Sequence, residues 1–397
     1  MRILFLTDNF PPEFNAPASR TFAHCTEWVK KGAEVTVITG APNFPKGEVF
    51  EGYKNKWRQE EWVEGIRVIR VWTYIAANEG FFKRILDYIS FMISAIVAGL
   101  FVKTDLIIAT SPQFFTAIAG RWLSIFKREK WIMEVRDIWP ESIKAVGAMK
   151  SNFIISYFEY LERRMYKTAY KIITVTDSFK KQLVEKHNIS PEKIGVFKNG
   201  IDASLFQPTP KNLELLKNLR LADKFIFGYI GTHGLAHKLD FILNAAKKIK
   251  DPKIHFIFLG SGAEKENLLK LKEKQGLQNV TMLDSVPKEE VSKYISLLDV
   301  GLVNLKKSDT FKSVIPSKIF ELSAMHKPIL LGVEGESEVL VNNYGIGESF
   351  EPENEMDFLA KVEKLKKEKG KDYPFDTFVS DFKRNNIAIQ MLSFISK

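Results

Sequence analysis

The 397-residue sequence has a single cysteine, Cys25, so no disulfide framework can stabilise the fold. Proteins of oxidising compartments commonly depend on such frameworks, and nothing in the composition favours that environment. Residues 1–8 lack the length and the small-residue cleavage site of a secretory signal peptide. We therefore expect the chain to begin with a strand.

Long apolar runs are missing as well. Residues 88–102 are the most apolar stretch, and their fifteen uncharged positions are fewer than the roughly 20 needed to span a bilayer. Zinc-finger spacing, RNA-binding signatures and basic runs with interleaved aromatic residues do not occur, so nucleic acid is not an expected partner. His233 and His237 lie four residues apart, but no adjoining cysteine or carboxylate set completes a metal site.

The length and the charge distribution indicate two domains of different character. A chain of this size exceeds one ordinary hydrophobic core. The formal net charge is +10, with 29 Lys and Arg against 21 Asp and Glu in residues 1–199, and 29 against 27 in residues 200–397. Taken by itself, the basic excess of the first half suits nucleic acid, an anionic membrane surface or a phosphorylated substrate about equally.

Apolar runs alternate with helical patterns in both halves, which predicts two parallel sheets covered by helices on both faces. The strands predicted for the first half are residues 3–7, 35–39, 66–72, 106–110, 131–135 and 172–175. Those predicted for the second half are residues 225–230, 254–259, 280–283, 300–305 and 329–333. Since ligands of such sheets bind at the carboxyl ends of the strands, the loops after the strands are the candidate sites.

Two strand exits of the first half carry candidate residues. The first exit leads through Asn15, Ala16 and Arg20 into a helix, and it could either bind a ligand or simply connect the strand to the helix. The strand at 131–135 ends in Arg136 and Asp137, two charges directly after a buried segment. These two side chains could pair with each other or line a cleft, and their position favours the cleft.

In the second half, the exit after residue 230 combines glycines with a cation. Gly231 and Gly234 allow the backbone to approach a ligand closely, and Lys238 can serve as a phosphate partner. The turn Gly260-Ser261-Gly262 follows the next strand, although a short glycine pattern more often reflects packing than binding.

Residues 311–328 indicate an anion site at a helix start. Pro316 fixes the backbone where a helix could begin, Ser317 can cap its free amides, and Lys318 adds a positive charge. Unpaired amides and the positive end of the helix dipole are the physical basis of phosphate binding in α/β proteins. Glu321, one turn later, could accept hydrogen bonds from a sugar attached to that phosphate.

Two helices of the first half have surfaces open to two interpretations. Residues 81–102 place Lys83, Asp87, Ser90 and Ser94 on one narrow polar stripe, which suits either a core helix or a helix lying in a membrane interface. Residues 152–168 combine aromatic and basic side chains, which suits a sheet-packing helix with a solvated basic face or a lipid-facing surface.

Together these segments resemble the retaining, nucleotide-sugar-dependent glycosyltransferases of the GT-B architecture and of the family 4 type. The likeness is closest to the bacterial branch that builds O-antigen and capsule sugars, including N-acetylfucosamine transferases, and it covers essentially the whole chain. The matching segments are Arg136-Asp-Ile-Trp-Pro140, Asn199-Gly-Ile-Asp202 with Phe206, Leu259-Gly-Ser-Gly262, and Pro316-Ser-Lys-Ile-Phe-Glu321 with Lys327 and Pro328.

The resemblance implies an α/β fold of two Rossmann-like domains facing a cleft. Residues 1–199 would be the acceptor and membrane side, residues 200–375 would bind the nucleotide sugar, and a helix in residues 376–397 would pack back on the first domain. It further implies that Glu321 binds the ribose, that the turn at 260–262 lies near the nucleoside, and that the helix around Ser317 receives the diphosphate. Val286 is a further candidate of the nucleotide-sugar site.

Two positions depart from the family pattern. Lys238 matches the lysine that many relatives carry in the first loop of the second domain, but Thr232 stands where their arginine would be. Ser313 stands where the broader family has a glutamate. Arg136, Asp137 and Lys238 remain the candidates for catalytic roles.

The resemblance implies a metal-independent, retaining hexosyltransferase without a cofactor, in keeping with the absence of any Asp-x-Asp. It would work at the inner face of the cytoplasmic membrane and move an N-acetylated deoxyhexose from its UDP form to a polyprenyl-diphosphate-linked saccharide. Two alternatives share the architecture: a UDP-sugar 2-epimerase, and a catalytically silent partner subunit, which the departures at Thr232 and Ser313 would explain.

Overall fold

The computed structural model describes residues 1–13, 15–44, 46–75, 81–111, 113–138 and 152–397. These residues form two compact units, one comprising residues 1–198 and 384–397 and the other residues 199–383. Each unit contains one sheet with helices packed against it, so the predicted α/β class with two doubly wound sheets is confirmed.

The sheet of the first unit has the strand order β3-β4-β2-β1-β5-β6-β7-β8. Its strands are β1 (Arg2–Leu6), β2 (Glu34–Gly40), β3 (Arg58–Val63), β4 (Ile66–Val71), β5 (Leu106–Thr110), β6 (Lys130–Val135), β7 (Lys171–Thr174) and β8 (Ile194–Val196). Its first five described helices are α1 (Ala16–Lys30), α2 (Phe81–Leu100), α3 (Phe114–Lys127), α4 (Asn152–Thr168) and α5 (Asp177–His187). All neighbouring strands are parallel except β3 and β4.

Two strands of this sheet were not predicted. The edge strand β3 has the sequence RQEEWV and no buried side chain, so it lacks the apolar run of an internal strand. It pairs antiparallel with β4, and Arg67 of β4 forms an ion pair with Glu60 of β3 at 2.7 Å. At the other edge, β8 has only three residues, which is too short for a pattern to emerge.

The second unit has an all-parallel sheet with the order β11-β10-β9-β12-β13-β14. Its strands are β9 (Phe225–Ile230), β10 (Ile254–Leu259), β11 (Val280–Leu283), β12 (Val300–Asn304), β13 (Ile329–Gly332) and β14 (Gly347–Ser349). Its helices are α6 (Leu213–Asn218), α7 (Leu239–Ala246), α8 (Lys265–Gln275), α9 (Lys288–Leu297), α10 (Lys318–Ala324), α11 (Glu336–Tyr344), α12 (Glu355–Lys367) and α13 (Phe375–Asp381). Buried side chains from both faces of this sheet form two hydrophobic clusters.

The C-terminal helix α14 (Arg384–Ser396) belongs to the first unit. The indole of Trp28 in α1 donates a hydrogen bond to the carbonyl of Ala388 over 2.8 Å, and Met391 and Ile395 join the cluster around Trp28. The expected returning segment, residues 376–397, is therefore divided, because its first six residues all belong to α13 in the second unit.

Helix α2 is anchored in the core of the first unit. Phe91, Ala95 and Ala98 are buried in the same cluster as residues of α3, and Ser94 of the expected polar stripe is buried too. Leu86 and Ile93 of α2 are nevertheless about half exposed. Among the described residues, no helix is long and apolar enough to cross a bilayer.

Candidate active site

The carboxyl ends of the second unit's strands bring four loops to one edge of the sheet. These are residues 231–238 after β9, 260–264 after β10, 284–287 after β11 and 305–317 after β12. Because every strand of this sheet is parallel, all four loops leave from the same side. They hold the expected nucleotide-sugar residues of the second half, apart from Lys318 and Glu321 in the helix that follows.

The first two loops are joined through their backbones. The amide of His233 donates to the carbonyl of Ser261 over 2.8 Å, and the amide of Glu264 donates to the carbonyl of His233 over 2.9 Å. Gly260 has φ +149°, and a β-carbon there would lie 1.9 Å from the carbonyl oxygen of Gly231. The glycine at 260 is therefore required by packing between the loops, while Ser261 stays exposed.

Lys318 reaches from the start of α10 to the first of these loops. Its ammonium lies 4.8 Å from the centre of the Tyr229 ring, and a β-carbon on Gly231 would lie 2.7 Å from its Nζ. Burial lowers the pKa of Lys318, and the nearby Glu321 carboxylate opposes that shift. The geometry places a cation at the exit of β9, where a glycine leaves room for it.

Lys318 lies near two buried or half-buried histidines, and its charge contributes to the lowered pKa of each. His233 is fully buried, neither of its ring nitrogens has a hydrogen-bond partner among the described residues, and its pKa is lowered to about 4 by burial and by Lys265 and Lys318. His237 also has a pKa of about 4, chiefly because of burial. The side-chain amide of Asn304 donates to the carbonyl of His237 over 2.8 Å and so holds this loop against the end of β12.

Helix α10 begins differently from the prediction. Ser317 has helical backbone angles, φ −59° and ψ −26°, and its side chain makes no capping hydrogen bond, so the expectation that its hydroxyl caps the helix is wrong. A capping side chain needs an extended residue at that position, which Ser317 is not. The partly exposed Glu321 carboxylate makes no hydrogen bond within the described chain and is available to a ligand.

The other expected residues of this edge are accessible to different degrees. Lys238 has φ +47°, and its ammonium forms an ion pair with Asp240 at 2.8 Å. Thr232 is exposed and Val286 is half-buried. The hydroxyl of Ser313 donates to the carbonyl of Thr310 over 3.3 Å. Pro316 immediately precedes Ser317, and its carbonyl accepts the amide of Ile319 over 3.1 Å.

In the first unit, the structure puts Arg136 and Asp137 directly after β6, each only partly exposed. The amide of Arg136 donates to the hydroxyl of Ser111 over 2.8 Å. Burial lowers the pKa of Arg136 to about 10 and raises the pKa of Asp137. In the described part of the chain, the Nε and Nη1 atoms of Arg136 have no partner, and the two side chains form no ion pair. Trp139 and Pro140 of the same motif lie outside the described residues.

The N-terminal loop has a structural role at two of its three expected positions. Arg20 is 2% exposed, pairs with Glu134 at 3.2 Å, and donates to the carbonyls of Lys198 and Phe197. Asn15 accepts the amide of Ala18 over 2.8 Å and so caps α1. Ala16 is the first residue of that helix. We therefore assign Arg20 and Asn15 to the support of this loop.

One acidic residue at a strand exit of the first unit was not singled out from the sequence. Asp8, two residues after β1, has its pKa raised to about 8, first by burial and then by the neighbouring carboxylates of Asp87 and Glu13. A carboxylate at the exit of a buried strand is a signal that could have identified it. In the described ranges, no group of three His, Cys, Asp or Glu side chains is arranged to hold a metal ion.

Two family models match the chain, one mainly in the first unit and the other in the second. Residues 18–205 match the model described as "Glycosyltransferase Family 4", and residues 213–376 match "Glycosyl transferases group 1". The chain belongs to the group 1 and family 4 glycosyltransferases. This result agrees with the resemblance at the level of the family.

Curated relatives of this glycosyltransferase extend the match over most of its length. WcaI of Escherichia coli (strain K12), whose name provisionally assigns it to colanic acid biosynthesis as a glycosyl transferase, is 26% identical over 91% of this chain and 91% of its own. TuaH of Bacillus subtilis (strain 168), provisionally named for teichuronic acid biosynthesis, is 26% identical over 61% of this chain and 60% of its own. The homologues of the present chain are thus glycosyltransferases of polysaccharide biosynthesis.

Solved structures share the fold. HepE of Anabaena, solved in complex with UDP, covers 100% of this chain and of its own with 14% identity and a TM-score of 0.70. The complex of the same protein with UDP-glucose has a TM-score of 0.70 as well. The GT-B architecture is therefore confirmed for this glycosyltransferase.

Proposed function

We propose that this glycosyltransferase uses a UDP-sugar as donor and binds its nucleotide at the loop edge of the second unit. The observation that carries the proposal is the meeting of Lys318 with Gly231 and Tyr229, one turn away from the unpartnered carboxylate of Glu321. A diphosphate needs a cation and free amides, and a ribose needs a carboxylate that can accept two hydroxyls. The binding of UDP and UDP-glucose by the fold neighbour HepE supports this choice of nucleotide.

Transfer would proceed with retention of the anomeric configuration and without a metal. Lys318 and Lys238 supply positive charge on the same loop edge, where the leaving diphosphate would develop negative charge. The departing diphosphate would itself accept the proton of the acceptor hydroxyl, so no protein nucleophile is assigned. Arg136 and Asp137 are proposed to orient the acceptor or the donor sugar.

The acceptor is proposed to be a polyprenyl-diphosphate-linked saccharide of surface polysaccharide synthesis, such as O-antigen or capsule. The donor sugar is proposed to be an N-acetylated deoxyhexose. The named pathways of WcaI and TuaH support the polysaccharide class.

Peripheral binding to the inner face of the cytoplasmic membrane is part of the proposal. Helices α2, α3 and α4 are neighbours in the first unit, since Phe114 and Phe115 of α3 both contact Phe158 of α4 and α2 shares their core. Exposed aromatic side chains lie on or next to these helices: Phe101, directly after α2, is 74% exposed, Phe126 of α3 is 58% exposed and Phe153 of α4 is 83% exposed. Large apolar groups on the surface of a basic unit suit the interface of an anionic bilayer.

A screen of nucleotide-sugars tests the donor assignment. UDP and one UDP-sugar should raise the melting temperature of the protein, whereas the matching GDP and dTDP compounds should not. Slow hydrolysis of the stabilising UDP-sugar to UDP and free sugar would identify the group transferred. Stabilisation by another nucleotide alone would reject the UDP assignment, and release of an epimerised sugar without acceptor would favour the epimerase alternative.

A further inference from the structure

A pocket of about 280 Å³ lies at the amino ends of the second unit's strands. Phe225 begins β9, Asp299 precedes β12 and Lys327 precedes β13, while residues 368–373 follow α12 and close the pocket. In a parallel sheet the strand starts lie at the edge opposite to the strand ends. The pocket is therefore separate from the loops that carry the proposed nucleotide site.

The charged lining of this pocket has an excess of cations. Its ionisable lysines and carboxylates are Lys211, Lys327, Lys369 and Lys371, and Asp299, Glu368 and Asp372. Asp299 accepts from Lys211 at 2.6 Å and from the amide of Ile226 at 2.8 Å, and Glu368 pairs with Lys371 at 3.0 Å. These pairs neutralise each other, which leaves Lys327 and Lys369 against Asp372.

Of the two remaining lysines, Lys327 is better placed than Lys369 to bind an anion. Its ammonium donates to the carbonyl of Ser296 over 3.0 Å, and within the described chain this is its single acceptor although an ammonium has three N–H groups. Burial, followed by the neighbouring Lys211, lowers its pKa to about 8, while Asp299 opposes the shift. An anion next to Lys327 would stabilise its charged form and use the remaining donors.

The rest of the wall is apolar and partly aromatic. Phe225, Tyr373 and Phe375 line the pocket, and the ring of His326 stacks on Phe375 at 5.2 Å. Ligand pockets range from roughly 300 to 1,000 Å³, so this one suits a small metabolite. A lining that contains both cations and aromatic rings matches a small organic molecule that carries a phosphate group.

We propose that this pocket binds a small phosphate-bearing metabolite, with Lys327 as its main anchor and Lys369 as the second cation. The phosphate lies against the start of β13, and the organic part packs on the aromatic side chains of the lining. The inference is independent of the proposed UDP site, since no residue is shared between them.

Calorimetric titration of the full chain with inorganic phosphate, glucose 1-phosphate and glucose tests the proposal. Glucose 1-phosphate should bind more tightly than inorganic phosphate, and glucose should not bind. Equal affinity for glucose 1-phosphate and inorganic phosphate would show that the pocket recognises only the phosphate group and would contradict the organic part of the proposed ligand. Failure of both to bind, or binding of glucose by itself, would overturn the proposal.

Variants locate the binding. Lys327→Met should weaken phosphate affinity roughly ten- to hundredfold, the loss expected for one charged hydrogen-bond partner. Lys369→Met should also weaken phosphate affinity, and because Lys369 lies on an exposed loop, this variant should fold normally. The control Lys250→Met, an exposed lysine of the same unit outside the pocket, should bind as the wild type does.

The variant Lys318→Met distinguishes phosphate binding in this pocket from phosphate binding at the nucleotide site. Phosphate affinity should be unchanged in Lys318→Met and weakened in Lys327→Met. The reverse result would assign the phosphate to the nucleotide site and overturn the second pocket. Loss of UDP binding in Lys318→Met bears on the proposed function alone, so the two proposals fail separately.

Discussion

The ammonium of Lys318 lies 4.8 Å from the centre of the Tyr229 ring, a cation–π contact between the start of α10 and the end of β9. The contact requires Gly231, because a β-carbon there would lie 2.5 Å from Cε of Lys318. A partly buried ammonium held by a ring rather than by a carboxylate keeps its charge available for an anion. This arrangement connects the glycine of the first loop with the helix that carries Glu321.

Gly231→Ala should disrupt this arrangement. Its β-carbon would collide with Lys318, and φ +139° is strained for any residue with a side chain, so we expect a loss of stability of about 1–3 kcal/mol together with weaker UDP binding. Gly276→Ala is the matched control, since Gly276 has φ +63° and nothing lies within 4 Å of its β-carbon position. Urea unfolding and UDP titration of both variants would show whether the loss of affinity is specific to position 231; equal UDP affinity in the two variants would contradict it.

The buried ion pair of Arg20 and Glu134 should be important for the stability of the first unit. Both side chains are at most 2% exposed, so Glu134→Gln leaves a buried guanidinium without its carboxylate, which typically costs about 3–5 kcal/mol. The exposed pair of Arg67 and Glu60 provides the control, where Glu60→Gln should cost less than about 1 kcal/mol. Similar losses in the two variants, measured by chemical unfolding, would argue against the structural role of Arg20.

The buried histidines should make stability depend on pH. His255 contacts the hydroxyl of Thr281 at 2.8 Å, and burial lowers its pKa from 6.5 to about 4. Folding favours its neutral form, so its contribution is complete above about pH 6.5 and is lost as the pH falls from there towards 4. The full effect is on the order of 3 kcal/mol.

His255→Gln isolates this effect, because all other titrating groups are shared with the wild type. Between pH 7 and pH 4, the difference in unfolding free energy between wild type and variant should change by most of the roughly 3 kcal/mol expected for His255. A difference that stays constant over this range would show that His255 titrates normally in the folded protein.

The exposed apolar surface of α2 and α3 should mediate membrane binding. Ile93 and Phe126 are both about half exposed, so replacing the two by Gln should leave the fold intact and lower the affinity for anionic vesicles at least tenfold, given about 1.5–3 kcal/mol for each buried side chain. Trp62→Gln is the control, an exposed aromatic residue on the edge strand β3 of the same unit. Unchanged sedimentation of the double variant with vesicles would reject the membrane surface.

The sequence predicted the sheets and the loop edge because these depend on local patterns. Continuous apolar runs marked β1 and β9 equally well, and glycines marked the turns after β9 and β10. The contacts of single side chains were not predictable, since Arg20 pairs with Glu134 across 114 positions and Lys318 meets Tyr229 across 89. The sequence does not show which partner such a side chain finds after packing.

The same reason explains two expectations that differ from the structure. Ser317 has the residue type of a capping position, but the preceding loop gives it helical angles and removes that role. The polar stripe predicted for residues 81–102 includes Ser94, which the packing of α2 buries. Residue type alone did not reveal either orientation.

Calorimetric titration of UDP into Glu321→Ala tests the central claim most directly. The carboxylate has no hydrogen-bond partner within the described chain, so its removal should leave the fold intact, as Glu273→Ala on the exposed side of α8 should also do. We predict that Glu321→Ala weakens UDP binding by roughly 1.5–3 kcal/mol, about ten- to hundredfold, while Glu273→Ala binds UDP as the wild type does. An unchanged UDP affinity in folded Glu321→Ala would contradict the assignment of the nucleotide site.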